Sequence, residues 1–438
     1  MTRLQHFGWF LARGFGPQGW GSPALDWDWD WTRPEVYQQG ARELERAGFD
    51  FLLIEDAPSL GSPETIDVRV RHAFGGPKHD PLLLAPYLFA ATTHLGVIPT
   101  VNPAGVLPYT AARQLATLQH LSGDRLGINV VTDVGSARHF GAEPPLGHDA
   151  AYDRAEEWLA GVRSLWRSWD AGALIADRET GVYADGSRLR PVAHRGEYYA
   201  FDGPLNAVPF VEGEPVIASP GGSGRGLGFA GANSDIQLAL APMTEASVKA
   251  YRAKIHDAAV AAGREASDIN ILFAVQPTIV ASAAEADRLV EASLHPDDDA
   301  LAQIARRQSS DLETDLTGLD LDAPLPERIF GEHVSQGSVR RLVGDRPVAS
   351  TPLRDHLASL ARLGRITTGD GFVATAEEFA DFVEVLGEWG NDGLLLWGDF
   401  HPVTLHRTLD ELVPILRRRG LLRREYAPGG LRANLRAF

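Results

Sequence analysis

The stretch that decides the fold is RLGINVVTDVGSARHFGAEPPLGHDAAYDRAEEW, Arg125 to Trp158. Residues 126–131 are too apolar and too short for an amphipathic helix, and their Ile and Val content fits a strand of a parallel sheet covered on both faces. Asn129 sits near the end of that strand, and Thr132, Asp133 and His139 follow in a polar loop. A helix is then entered through His148 and Tyr152. A strand that ends in Asn-x-x-Thr-Asp and opens a loop is how an α/β enzyme presents side chains to a ligand at the C-terminal end of its sheet. His148 and Tyr152 are four apart, so on a helix they face the same way and offer an imidazole and a phenol to whatever the loop holds. The competing reading is a capping arrangement in which His148-Asp149 satisfies free N–H groups of the helix start.

Outward from this unit the same alternation repeats. Strands are expected at 4–11, 51–54, 95–101, 126–131, 215–219, 236–240, 269–280 and 393–397, nearly all separated by helices. The first helix opens at Pro34, carries Val36, Ala41, Leu44 and Ala47 on one side and stops at Gly48. Eight strands alternating with helices are the (β/α)8 signature, and right-handed crossovers close them into a barrel. The expected fold class is therefore α/β, a TIM barrel. An open doubly wound sheet would need its glycine fingerprint after the first strand, where GFGPQG has no helix behind it. One domain over 1–438 is expected, with insertions near 57–81, 170–212 and 295–350. The 57–81 loop, with Arg69, Arg71, His72, Lys78 and His79, is long enough to act as an active-site cover. The DWDWDW run at 26–31 reads as an aromatic lid, a subunit contact or a loop pinned by indoles.

Composition narrows the function. The chain has 438 residues and a formal charge of −17, which opposes nucleic acid and anionic membrane surfaces as partners. With no cysteine there are no disulfides, thiolate nucleophiles or Cys-ligated metals. No apolar run approaches the roughly 20 residues of a membrane span, so a cytoplasmic protein is expected. The fourteen histidines include no HExxH, and no GxSxG is present, so neither a zinc site nor an α/β-hydrolase nucleophile is expected. The turn SPGGSGRG, Ser219 to Gly226, joins a strand to a helix start. Freed backbone N–H groups there, with Gly222, the Ser223 hydroxyl and Arg225, make an anion cradle suited to a phosphate. The alternative is a tight turn that needs glycine for its backbone angles.

These residues sit in strings that resemble the bacterial luciferase-like flavin monooxygenases, in the branch of nitrilotriacetate monooxygenase, pristinamycin synthase and dibenzothiophene sulfone monooxygenase. The strings are AGFDFLLIEDA, PYTAARQLATLQHLSGDRLGINVVTD, HFGAEPPLGHDAAYDRAEEW, LWRSW, HRGEYYAFDGPLN, PVIASPGGSGRG, LTGLDLDAPLP and LVPILRRRGLLRREYAPGGLRANL, in order over most of the chain. The resemblance implies a TIM barrel with insertions. It also implies a two-component enzyme that takes FMN as FMNH2 from a separate NAD(P)H:flavin reductase and O2 as co-substrate. Such an enzyme oxygenates a small organic substrate through a C4a-peroxyflavin, and its relatives form homodimers or homotetramers. By the same resemblance Asp56, Asn102, Asn129, Thr132, His148 and Tyr152 line the flavin, and Gly222 and Ser223 hold its phosphate. Four departures from the family pattern are expected at the flavin: Ile128 for Trp, Asp133 for Ser, Ser219-Pro220-Gly221 for Gln-Ala-Gly, and Asn102 for a small hydroxyl residue. Use of the deazaflavin F420, or a catalytically silent flavin-binding barrel, are the alternatives.

Overall fold

A computed structural model describes the chain apart from residues 1–2, 13–19, 21–28, 62, 64, 142–145, 327–328 and 331–335, and apart from the side chains of 336–338. Eight parallel strands close into a barrel in sequence order. They are β1 (His6–Leu11), β2 (Phe51–Ile54), β3 (Gly96–Val101), β4 (Gly127–Val130), β5 (Val216–Ser219), β6 (Ile236–Ala239), β7 (Asn270–Val275) and β8 (Gly393–Gly398). Each strand expected from the sequence contributes one of them. The helices α1 (Glu35–Ala47), α2 (Pro81–Ala91), α3 (Pro108–Ser122), α4 (His148–Trp166), α5 (Gly224–Asn233), α6 (Glu245–Ala261) and α7 (Ala376–Glu388) fall between successive strands.

Side chains alternate along each strand, and the alternation makes two cores. Phe51, Leu53, Ile98, Ala218, Leu238 and Leu395 fill the barrel interior. Their neighbours Leu52, Ile54, Val97, Ile128 and Ile217 pack outward against the helices. Gly8 on β1 makes room inside the barrel, because a Cβ there would stand 2.4 Å from the Phe51 ring.

Three insertions rise from the βα connections. The first joins β2 to α2 and contains the short helix Ile66–Val70. The second, between α4 and β5, carries two antiparallel pairs, Leu174–Asp177 with Val182–Ala184 and Ala193–Arg195 with Ala200–Asp202. The third follows β7. Where the sequence suggested one strand over 269–280, β7 ends at Val275, and Thr278–Val280 leaves the barrel to pair with Val373–Thr375. Pro277 has no N–H to give a ladder, which explains the break. The acidic segment after His295, within the insertion expected near 295–350, contains a helix, Asp298–Leu312. Its acids crowd the first turn, and Asp297 accepts from Ala300 N at its cap, where negative charge is favoured.

GFGPQGWG, apart from Trp20, and the 26–28 half of the DWDWDW run lie outside the described residues. In the described half, Trp29 packs edge-on to Tyr37 at 5.7 Å. The Trp31 carbonyl accepts from the Tyr37 hydroxyl at 2.8 Å and lies 2.9 Å from His79 Nε2. This part is a loop pinned by its indoles.

Candidate active site

The C-terminal ends of the strands bring the predicted side chains to one mouth. On β4, alternation turns Asn129 inward, where it is 5 % exposed. Its amide donates from Nδ2 to Thr100 Oγ1 at 2.9 Å, and Thr100 in turn donates to the Ile54 carbonyl at 2.7 Å. Asn129 Oδ1 has no partner within the protein. A buried acceptor without a donor is costly, so its place at the mouth points to a ligand donor.

Asn102 sits one residue beyond β3 and Thr132 two beyond β4. Asn102 Nδ2 donates to the Asp133 carbonyl at 2.9 Å, and Oδ1 accepts from Ala104 N at 3.0 Å, so this side chain ties the two loops together. Thr132 hydrogen-bonds the Tyr152 phenol. Burial pushes that phenol up, while the Thr132 bond and the Arg225 guanidinium oppose the shift. His148 opens α4 in contact with Tyr152, ring centroids 5.3 Å apart, but is exposed, with Nδ1 2.7 Å from Asp149 Oδ1.

The glycine turn lies across the mouth from β2. Ser223 caps α5, its Oγ accepting from Gly226 N at 3.0 Å. Gly221 and Gly226 are packing requirements, since a Cβ on either would come within 2.8 Å of the Tyr152 hydroxyl. Gly222 and Gly224 are different: nothing in the protein lies within 4 Å of a Cβ placed there, and neither has a positive φ. The backbone angles therefore do not demand glycine, and the space beside both positions is open. Gln237, wholly buried and missed in the sequence, holds the turn by donating to the Gly221 carbonyl at 3.0 Å and contacts the Tyr251 hydroxyl at 2.8 Å.

Two expectations need correction, those for Ile128 and Arg225, and of the two readings open for Asp133 the structure shows the loop cap. Ile128 faces the helix layer with no exposure, because its neighbour Asn129 faces inward, so this departure is not at the site. The Asp133 carboxylate accepts from Gly135 N at 3.0 Å and from the Ser136 amide and hydroxyl, which makes it a cap of its own loop. Arg225 is not part of the anion cradle: it turns to Glu156, at 2.8 Å, and to Asp153 on α4. These carboxylates push its guanidinium still higher.

On the far side, Asp56 ends β2 half-buried. Burial pushes its carboxyl up to about 7; Lys78 opposes the shift, and Glu55, Asp80 and Asp133 add to it. Next to it Lys78 Nζ meets Glu55 Oε2 at 2.9 Å. A cavity of about 290 Å³ lies here between the ends of β1, β2 and β8. Phe10 and Trp397, ring centroids 5.5 Å apart, Phe74 of the first insertion and Asp311 of the third all line it. Arg69 ties the two insertions over it, donating to the Ser59 carbonyl at 3.3 Å and the Ser310 carbonyl at 3.2 Å. These aromatic walls were not legible beforehand, although Trp397, the last residue of the strand expected at 393–397, was a usable signal. Among the described residues no three His, Asp or Glu side chains gather as metal ligands, and no helix is long and apolar enough to cross a membrane.

A closed parallel barrel with a glycine turn at a helix N-terminus and an unpaired acceptor at its mouth is a frame shared by many enzymes, and sequence comparison says to which family this one belongs. Residues 6–336 match the luciferase-like monooxygenase family. The chain belongs to this family of flavin-dependent oxidoreductases. It is 34 % identical over 429 residues to dibenzothiophene-sulfone monooxygenase of Rhodococcus erythropolis, covering 93 % of this chain and 90 % of that one. It is 30 % identical to nitrilotriacetate monooxygenase component A of Aminobacter aminovorans, covering 92 % and 90 %. A riboflavin lyase solved with a modified FMN and riboflavin superposes with a TM-score of 0.79 at 28 % identity, covering 100 % of this chain and 96 % of that one.

Proposed function

We propose that the chain is the oxygenase of a two-component monooxygenase that binds FMN in reduced form, uses O2 and oxygenates a small organic substrate. A separate NAD(P)H:flavin reductase supplies the FMNH2. The observation that carries the reading is the pair Gly222 and Gly224, bare of neighbours and free of left-handed strain at the N-terminus of α5. That turn suits a phosphate, held by the first amides of α5 and by the Ser223 hydroxyl. Asn129 Oδ1 is the acceptor for a ring N–H, with Thr100 orienting its amide. Tyr152, His148, Thr132, Asn102 and Asp56 line the space between turn and cavity. Bound FMNH2 supplies the electrons that activate O2 for insertion into the substrate. The insertions joined through Arg69 cover the mouth and exclude water from it. Component A in the name of the nitrilotriacetate relative supports a partner component, and the modified FMN in the riboflavin lyase supports FMN.

Anaerobic fluorescence titration with reduced FMN, and separately with reduced F420, tests the reading. Binding of reduced FMN and not of F420 is expected. Failure of reduced FMN to bind would overturn it.

A further inference from the structure

The cavity between β1, β2 and β8 has a chemistry of its own. Three of its lining residues are aromatic, Phe10, Trp397 and Phe74, with Ala12 and Ala57 between them. Its charged residues are Glu55, Arg69, Lys78 and Asp311, two of each sign. Both cations are engaged by the protein. Lys78 binds Glu55 at 2.9 Å. Arg69 reaches Glu313 at 3.5 Å as well as the Ser59 and Ser310 carbonyls, and its unpaired Nε–H is buried next to Gly75. An entering carboxylate would meet Glu55 and Asp311 without gaining a cation of its own, and would bear its desolvation uncompensated. Flat apolar surface, by contrast, finds rings on several sides, and aromatic contacts add to burial. The Lys78–Glu55 pair offers a dipole without net charge, which suits a neutral polar group such as an amide, ketone or sulfone.

We propose that this cavity selects a neutral, planar aromatic or heteroaromatic substrate and rejects the carboxylated counterpart of the same shape. The proposal rests on the reading of this mouth as the oxygenation site, and it names the substrate class. The volume of about 290 Å³ stands at the small end of ligand sites, so two fused rings fit better than a long chain.

Anaerobic calorimetric titration of the full chain at pH 8, with saturating reduced FMN present, tests it with three probes: naphthalene-2-carboxamide, naphthalene-2-carboxylate and decanamide. The naphthyl carboxamide should bind about tenfold tighter than either of the others, a difference of one decade in Kd. Trp397→Leu should weaken the naphthyl carboxamide about tenfold and leave decanamide nearly unchanged. Phe74→Leu, in a loop outside the barrel core, should do the same and guards against a folding defect in the first variant. Glu55→Gln removes a carboxylate from beside Lys78 and should raise carboxylate affinity about tenfold. The proposal is overturned if the carboxylate binds as tightly as the carboxamide, if decanamide matches it, or if none of the three binds. Absence of reduced FMN binding in the same samples would instead overturn the flavin reading, while the order of the probes still judges the cavity.

Discussion

Two aspartates six residues apart, at opposite ends of β2, show how one strand serves two purposes. Asp50, at the N-terminal end, is 1 % exposed and fully engaged: it accepts from Phe7 N at 2.8 Å, lies 3.0 Å from His6 Nδ1 and pairs with Arg423. Arg423 goes on to bond Asn434 Oδ1 at 2.6 Å, so the C-terminal segment is locked beneath the barrel, where Leu431 and Leu435 plug the interior. Asp56, at the C-terminal end, is half-buried, and burial pushes its carboxyl up to about 7 against the pull of Lys78. The lower end of the barrel is built for stability. The upper end keeps unbalanced groups, which is where chemistry is placed in this architecture.

The largest expected effect breaks the lower end. Asp50→Ala leaves the Arg423 guanidinium buried without its partner and should destabilise the protein by about 3–5 kcal/mol in urea unfolding. The folded fraction should still bind reduced FMN with near-normal affinity. A loss of stability under about 1 kcal/mol would show that the network is not the clamp described here.

Next in size is the upper end. Ser223→Ala should weaken FMN binding by about 1.5–3 kcal/mol, the worth of a hydrogen bond to a charged group. Loss of the α5 cap should cost about 1 kcal/mol of stability in addition. Unchanged affinity in the anaerobic titration would remove Ser223 from the phosphate site.

The two ends were unequally legible in the sequence. The barrel strands announced themselves as apolar runs because each is buried on both faces, and Asn129, Thr132 and Ser223 announced themselves as polar groups where those runs stop. The lower clamp did not, because Asp50 and Arg423 are 373 residues apart and no local pattern links them. Leu431–Leu435 is a helix of five residues, too short for a periodic signal. Ile128 was misplaced for a simpler reason: resemblance aligns positions, whereas strand parity decides which face a side chain takes. The partners of Arg225 and Asp133, Glu156 on α4 and the backbone of 135–136, become neighbours only on folding, so the sequence alone could not take Arg225 out of the cradle or settle Asp133 as a loop cap. The helix Asp298–Leu312 was hidden by the acids that cap it.

A pH series sharpens the comparison through Asp56. Its folded pKa of about 7 lies above the ordinary 3.8, so the group contributes full stability only below about 3.8 and loses that contribution as pH rises through 7. Asp56→Asn cannot ionise. The urea midpoint of the wild type should therefore fall relative to that of Asp56→Asn between pH 5 and 7, and the gap should be constant above pH 8. A gap that does not change with pH would mean that the Asp56 carboxyl is ionised throughout.

The smallest effect tests whether the helix face of α4 belongs to the site or merely borders it. Tyr152→Phe removes the hydroxyl bonded to Thr132 but keeps the ring against Phe229, at 5.9 Å, so packing is preserved. If the phenol only steadies the Thr132 loop, stability falls by about 0.5–1.5 kcal/mol and reduced FMN affinity stays as it was. If the phenol and the Gly221–Gly226 turn act as one wall, as its clash distance to a Cβ on either glycine suggests, FMN affinity falls by a similar amount while the urea midpoint moves little. The second outcome is expected, because the hydroxyl sits closer to the turn than a side chain at either glycine would allow, and a wall that close to the cradle shapes what the cradle can hold.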